Sequence, residues 1–363
     1  MQEIVTLAPP ASECRTEAPE RGSIVVGLVQ HRWNPDPAAL RAELAEGIAR
    51  AAGHGARAVF LPELTLSRYP ADTLPAGRAA DAAEDLLGGP TFAFAAEQAA
   101  GHGIHVHASL YQQATAEDGS DDGLGLNTAI IAAPDGTLAA ATHKLHIPRT
   151  AGYHEDRYFR PGPAADPYPV HAPAGLDTDA GSPLRLGLPT CWDEWFPEPA
   201  RAYALAGADA LAYPTAIGSE PDHPGFDTEP LWRQSIIGHG IANGLFMIVP
   251  NRWGAEGSLT FYGSSFIADP FGRVLARAPR DASAVLVASL DLDQRRDWLT
   301  LFPFLRTRRP DTYGVLAEPV ADTPLGIRDD AGAPSRRDAR RGGADDAGAS
   351  LRADRTATAG LGA

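Results

Sequence analysis

Short β-rich apolar runs alternate with helix-like segments along most of this 363-residue chain, and no linker-like stretch separates them. That alternation admits few folds, because each strand feeds a helix that must pack back onto its sheet, so the expected class is one layered α/β domain. Residues 24–30 read as a strand, and residues 37–52 set Leu40, Leu44 and Ile48 at four-residue spacing on one helical face before Gly53 and Gly55 stop the helix. Residues 58–61 return as a strand, which completes a βαβ start. A helix over 83–100, a strand over 104–111 and a hairpin with strands 127–134 and 138–142, turning at Pro134-Asp135-Gly136, come next. Strands at 184–188, 210–213, 245–250, 264–268, 274–276 and 285–290 complete the pattern, with helices at 197–206 and 229–243.

Composition narrows the class of partner. The only two cysteines, Cys14 and Cys191, are far apart in sequence, so a structural disulfide is not expected and a reduced, cytoplasmic setting is. No apolar run approaches the ~20 residues of a membrane span, and the N-terminal residues lack the basic-then-apolar layout of a signal peptide. A formal charge of −15 repels polyanions and tolerates a cationic small molecule, so neither nucleic acid nor membrane is an expected partner. Residues 1–22 and 322–363 are poor in large apolar side chains and are expected to be disordered, leaving a catalytic domain over 23–321; the other reading of the C-terminal segment is an arm that reaches a neighbouring subunit.

Three chemically different groups each close a β-segment. Cys191 follows the 184–188 run and precedes a helix-like stretch starting at Pro197, a place where backbone N–H groups favour a thiolate, although a buried core cysteine fits equally well on this segment alone. Glu63 ends the apolar run Val59-Phe60-Leu61-Pro62. Lys144 ends the second hairpin strand, in Thr142-His143-Lys144-Leu145-His146. One sheet edge can gather all three, and α/β proteins place their sites there.

Together these segments resemble the nitrilase superfamily of carbon-nitrogen hydrolases, from about residue 24 to about residue 313. Within it they look like the N-carbamoylputrescine amidases. Supporting stretches are 152–162 (GYHEDRYFRPG), 191–198 (CWDEWFPE), 213–221 (YPTAIGSEP), 238–243 (GHGIAN), 251–254 (NRWG), 262–267 (YGSSFI) and 308–313 (RRPDTY). The resemblance implies a four-layer αββα sandwich. It also implies Cys191 as nucleophile, Glu63 as general base and Lys144 as oxyanion stabiliser together with the Trp192 backbone N–H. Glu155 matches a second acidic residue of the family, which positions Lys144 and substrate. Tyr69 and Trp195 match aromatics that often line the pocket, and each is as readily explained by packing. Glu194 stands where relatives commonly carry glutamine and is expected to add negative charge for a cationic substrate. A buried Glu–Lys ion pair without chemistry is the competing reading, and it is disfavoured because such pairs contribute little net stability.

The implied substrate is a small-molecule amide or carbamoyl compound such as N-carbamoylputrescine. An N-carbamoyl amino acid is the rival, and its carboxylate would require Arg149, Arg157 or Arg160. His143 before the lysine, Pro189-Thr190 before the cysteine and a long 163–183 insertion depart from the family pattern near the site. Acyl transfer to an amine and a non-catalytic binding role are the remaining alternatives. No cofactor and no metal is expected. His105 and His107 share one strand face without an acidic or cysteine partner, Gly123-Leu124-Gly125 lacks the third glycine of a dinucleotide loop, and no Gly-x-Ser-x-Gly elbow occurs. The family's dimers imply a homodimer or higher homo-oligomer.

Overall fold

The computed structural model describes residues 1–318. Met1–Arg308 forms one compact unit, and Arg309 begins a second, whose described part holds the one-turn helices Pro310–Thr312 and Gly314–Ala317. The strands of the first unit are β1 (Gln2–Thr6), β2 (Ser23–Gln30), β3 (Ala58–Phe60), β4 (His105–Gln112), β5 (Leu126–Ala132), β6 (Leu138–His143), β7 (Leu186–Gly187), β8 (Ala210–Ala212), β9 (Phe246–Val249), β10 (Trp253–Glu256), β11 (Leu259–Tyr262), β12 (Phe266–Ala268), β13 (Val274–Arg277) and β14 (Ala284–Asp291). The helices are α1 (Pro37–Gly53), α2 (Pro90–His102), α3 (Pro197–Leu205), α4 (Glu229–Asn243) and α5 (Asp293–Leu301).

A seven-stranded sheet in the order β1-β14-β2-β3-β4-β5-β6 lies against a five-stranded sheet in the order β13-β12-β9-β8-β7. Their facing sides share one core, in which Val26, Leu28, Phe60 and Ile131 of the first meet Leu186, Ala212, Phe246 and Ile267 of the second. The outer face of the larger sheet carries Val29, Val59 and Val106 and is covered by Leu44 and Ile48 of α1 and Phe94 of α2. Tyr203 of α3 and Trp232 and Ile236 of α4 cover Leu211, Met247 and Phe266 of the smaller one. This is the αββα sandwich. Strands buried on both faces explain why 24–30 reads as a continuous apolar run instead of an alternating one. The first helix starts where expected, because the Asp36 carboxylate accepts the Ala38 N–H and Pro37 occupies the first turn.

Several expectations are corrected. Residues 1–22 are not disordered: β1 pairs in parallel with β14, Arg15 bridges Asp291 at 2.6 Å and Asp297 at 2.8 Å, and the Asp293 carboxylate accepts the N–H groups of Glu20 and Arg21. Buried acceptors on the domain take up this polar segment where apolar burial alone would not. The compact unit closes at Arg308, short of the expected 321. The expected tail at 322–363 lies outside the described residues. The second helix begins at Pro90 and not at residue 83, after a one-turn helix at Ala79–Ala82. The β10–β11 hairpin and α5 are additions to the sequence reading.

Candidate active site

Strands β2, β3, β4 and β6 run in one direction and β7, β8 and β9 are mutually parallel, so the loops leaving β3, β6 and β7 carry Glu63, Lys144 and Cys191 to one edge of the sandwich. Glu63 is completely buried. Its Oε1 accepts from Asn127 Nδ2 at 2.7 Å and from Lys144 Nζ at 2.8 Å, while its Oε2 is buried with no partner among the described residues. Lys144 Nζ also donates to Glu155 Oε2 at 2.6 Å, and Tyr69 OH donates to Glu155 Oε1 at 2.7 Å. Glu155 reaches this position on the one-turn helix Glu155–Arg157. That segment is anchored next door by the Tyr153 hydroxyl, which accepts the Gly218 N–H and donates to Ser219 O, both at 3.1 Å.

Cys191 opens the one-turn helix Cys191–Trp195 and has φ +43, a left-handed conformation rare for a residue with a Cβ. Such strain clusters at functional sites, where the surrounding structure holds it. Here the holding group is Asp193. Its carboxylate accepts from Thr190 N at 3.0 Å on the turn that carries Cys191, and from His146 N at 2.9 Å and His146 Nδ1 at 2.7 Å on the loop after Lys144. The same carboxylate therefore fastens Lys144 to Cys191. Cys191 N–H goes to Pro214 O and Asp193 N–H to Thr190 O, both at 3.0 Å, while no backbone acceptor takes the Trp192 N–H among the described residues.

Electrostatics follow from burial. Burial, then Glu63, raises the Cys191 thiol well above its ordinary range, and Lys144 opposes this. That environment disfavours the thiolate. Burial works against the Lys144 ammonium, yet Glu155, Glu63 and Cys191 together hold its pKa well above the ordinary lysine value. Burial raises the Glu155 carboxyl while Lys144 pulls it down.

The structure thus brings Glu63, Lys144 and Glu155 into one hydrogen-bonded cluster and places Cys191 within its field. Glu194 is also buried, with Oε2 accepting from Thr215 Oγ1 at 3.2 Å. Burial, which outweighs the opposing pull of Trp232 and Thr215, raises this carboxyl well above its ordinary range and so works against the negative charge expected of it. The neutral acid matches the shape and polarity of glutamine. Trp192 is half-buried with its ring 6.3 Å from that of Trp195. Trp195 packs against the α3–α4 layer and takes no part in the hydrogen-bonded cluster.

The sequence alone gave no role to Asn127, Asp193 and Arg252, and it left Tyr69 between pocket lining and packing. Asn127 had one visible signal, a polar amide opening an apolar hairpin strand. Among the described residues no group of three or more His, Cys, Asp or Glu is placed to hold a metal ion.

Comparison with known proteins matches residues 25–299 to the carbon-nitrogen hydrolase family model. The N-carbamoylputrescine amidase of Arabidopsis thaliana is 37% identical over 235 residues, which is 62% of this chain and 73% of that protein. The citrullinase of Francisella tularensis is 34% identical over 298 residues, 80% of this chain and 97% of its own length. Among solved structures, a carbon-nitrogen hydrolase from Helicobacter pylori G27 superposes with a TM-score of 0.71 at 31% identity, covering 82% of this chain and 99% of that one.

Proposed function

We propose, on the premise that the chain belongs to the carbon-nitrogen hydrolase family, that it hydrolyses a terminal carbamoyl group on an aliphatic amine, with Cys191 as nucleophile. The observation that carries this is the division of labour on Glu63. Oε1 is engaged by Asn127 and Lys144, and Oε2 remains unpartnered among the described residues, in a buried site shared with the Cys191 thiol.

In the first step the Cys191 sulfur bonds to the carbonyl carbon while its proton passes to Glu63 Oε2. Lys144 and the Trp192 N–H stabilise the oxyanion. Collapse breaks the carbon–nitrogen bond, and the Glu63 proton leaves on the amine nitrogen. A carbamoyl thioester remains on Cys191. Water then gives a proton to Glu63 as its oxygen bonds to the carbonyl carbon; the sulfur–carbon bond breaks and the proton returns to sulfur. The released carbamic acid decomposes to ammonia and carbon dioxide.

N-carbamoylputrescine is the substrate we favour. Its distal ammonium suits Glu220, a half-buried carboxyl on the 213–221 segment whose Gly218 and Ser219 hold Tyr153. A distal carboxylate is served less well. Arg160 is engaged by Asp122 and by the carbonyls of Leu124 and Ala114, while Arg149 and Arg157 are exposed. The citrullinase likeness supports a second reading, citrulline, which shares the terminal ureido group on a methylene chain. Ammonia release by wild type and Cys191→Ala is the test, with N-carbamoylputrescine, citrulline and a simple primary amide offered separately. Cys191-dependent release from N-carbamoylputrescine is expected. Release from citrulline alone selects the second reading, and turnover surviving in Cys191→Ala refutes the mechanism.

A further inference from the structure

The loop that carries Glu63 has an unusual backbone. Leu64 sits at φ +49, and the carbonyls of Glu63, Leu64 and Ser67 all point at one fully buried side chain, Arg252. The two N–H groups of Arg252 Nη2 are shared among Glu63 O at 2.8 Å, Leu64 O at 2.5 Å and Ser67 O at 2.8 Å, and Nε donates to Glu63 O at 3.1 Å. Its Nη1 lies 2.9 Å from each oxygen of Glu256, at the far end of β10. Glu256 Oε2 in turn accepts the Tyr69 N–H at 3.0 Å. Tyr69 is the residue whose hydroxyl holds Glu155. Further along the β10–β11 hairpin, the Phe261 ring meets the Tyr69 ring edge-on at 5.7 Å, and Ser258 Oγ donates to Asp72 O.

A buried arginine and glutamate contribute little if stability is all they supply, because desolvation offsets most of the Coulombic gain. Their geometry suits a different task. A planar guanidinium fixes several acceptors at once, which an ammonium on a flexible stem does not. One end of the pair sets the backbone from which the Glu63 side chain projects; the other sets Tyr69 and, through it, Glu155.

We infer that Arg252, held by Glu256, is a positioning residue that fixes Glu63 and Glu155 about Lys144 by clamping the 63–69 loop from the β10–β11 hairpin. It touches neither substrate nor thiol. The inference rests on the proposed reading of Glu63 as the base for Cys191.

The test compares wild type, Arg252→Lys, Cys191→Ala and Glu63→Gln. Folding is checked by circular dichroism and thermal melting. Turnover is followed on whichever carbamoyl compound wild type cleaves, and Cys191 is probed by iodoacetamide alkylation across pH. Folded Arg252→Lys is expected to lose about 100-fold in kcat with KM within about 3-fold, the signature of a misplaced base. Its alkylation profile is expected to move along the pH axis, a change that a loss of folded fraction cannot produce. Where Arg252→Lys does not fold, Glu256→Gln carries the same expectation, since it keeps the side chain's shape while weakening its hold on Arg252. A folded variant with wild-type kcat and an unmoved alkylation profile overturns the positioning role. Turnover retained by Cys191→Ala or Glu63→Gln overturns the underlying reading instead, so the two failures are distinguishable.

Discussion

Lys144 and Glu155 meet at 2.6 Å with side chains 0% and 1% exposed, and the same ammonium donates to Glu63 at 2.8 Å. One buried cation is thus shared between two carboxyls, and each carboxyl fixes it against the pull of the other. Replacing Glu155 by Gln keeps the shape but releases one side, so Lys144 is expected to drift toward Glu63 and away from the oxyanion. The expected loss is about 100-fold in kcat with a smaller change in KM. Lys144→Met leaves two carboxyls facing each other, and breaking a buried pair in this way costs about 3–5 kcal/mol, measurable by denaturant unfolding. An unchanged midpoint for Lys144→Met would show that the cluster is hydrated and not buried.

Asn127 supplies a neutral bond to Glu63 Oε1, at 2.7 Å, and is itself held by Ser109 Oγ at 3.3 Å. In Asn127→Ala that carboxylate oxygen loses the amide and keeps the lysine. Losing one hydrogen bond while another remains costs about 0.5–1.5 kcal/mol, and the Glu63 side chain gains rotational freedom. Steady-state kinetics are expected to give a fall in kcat of about 10-fold or more, by analogy with the ~10²-fold cost of a small misplacement. A full-rate Asn127→Ala enzyme would assign Glu63 orientation entirely to Lys144 and the backbone clamp.

Glu63, Lys144, Cys191 and Glu155 were legible because each stands where local pattern is strong: a polar residue ending an apolar strand, or a motif with recognisable neighbours. The residues that hold them were not. Arg252 lies 189 residues from the Glu63 carbonyl it binds, and no periodicity links the two. The burial of Glu194 was hidden for a related reason, since a single acidic letter does not reveal the surroundings on which its charge depends. β1 escaped notice because an edge strand with only Ile4 and Val5 as large apolar side chains carries little hydrophobic signal, and its partner β14 lies more than three quarters of the chain away, with Gln2 opposite Ala284. Alternation along the chain announced the layers, whereas the pairing of N-terminus with β14 had to be read from structure.

That pairing has a measurable consequence. Removing residues 1–22 exposes the β14 edge, strips Arg15 from Asp291 and Asp297, and leaves Asp209 without Arg21 and Asp293 without its backbone donors. Asp209, Asp293 and Asp297 are buried. Arg296 still reaches Asp293 and Asp297, and the Arg185 N–H still reaches Asp209, but the loss of their other partners and an open edge both act against the folded chain. Thermal melting of the truncated chain is expected to show a midpoint several degrees lower, about 2–4 °C per kcal/mol for a domain of this size, with increased aggregation. Equal midpoints would mean that the segment only decorates the sheet.

Glu194 offers a test in which the pH dependence has a definite sign. Burial raises its folded-state pKa well above the ordinary value of 4.5. Below 4.5 the carboxyl is protonated in folded and unfolded chains alike, so it contributes no pH-dependent difference. Above 4.5 the unfolded chain releases the proton while the folded chain retains it, and stability falls as pH rises until the folded pKa is passed. Glutamine at this position has the same shape and no proton to lose. Glu194→Gln is therefore expected to melt at a higher temperature than wild type at about pH 8, with the gap shrinking toward about pH 5 at up to about 1.4 kcal/mol per pH unit. Since the neutral acid and the amide present similar hydrogen-bonding groups beside Thr215, turnover is expected to survive the change. A gap that stays constant across that range would mean that Glu194 is ionised in the folded protein, restoring it as a counter-charge for a cationic substrate.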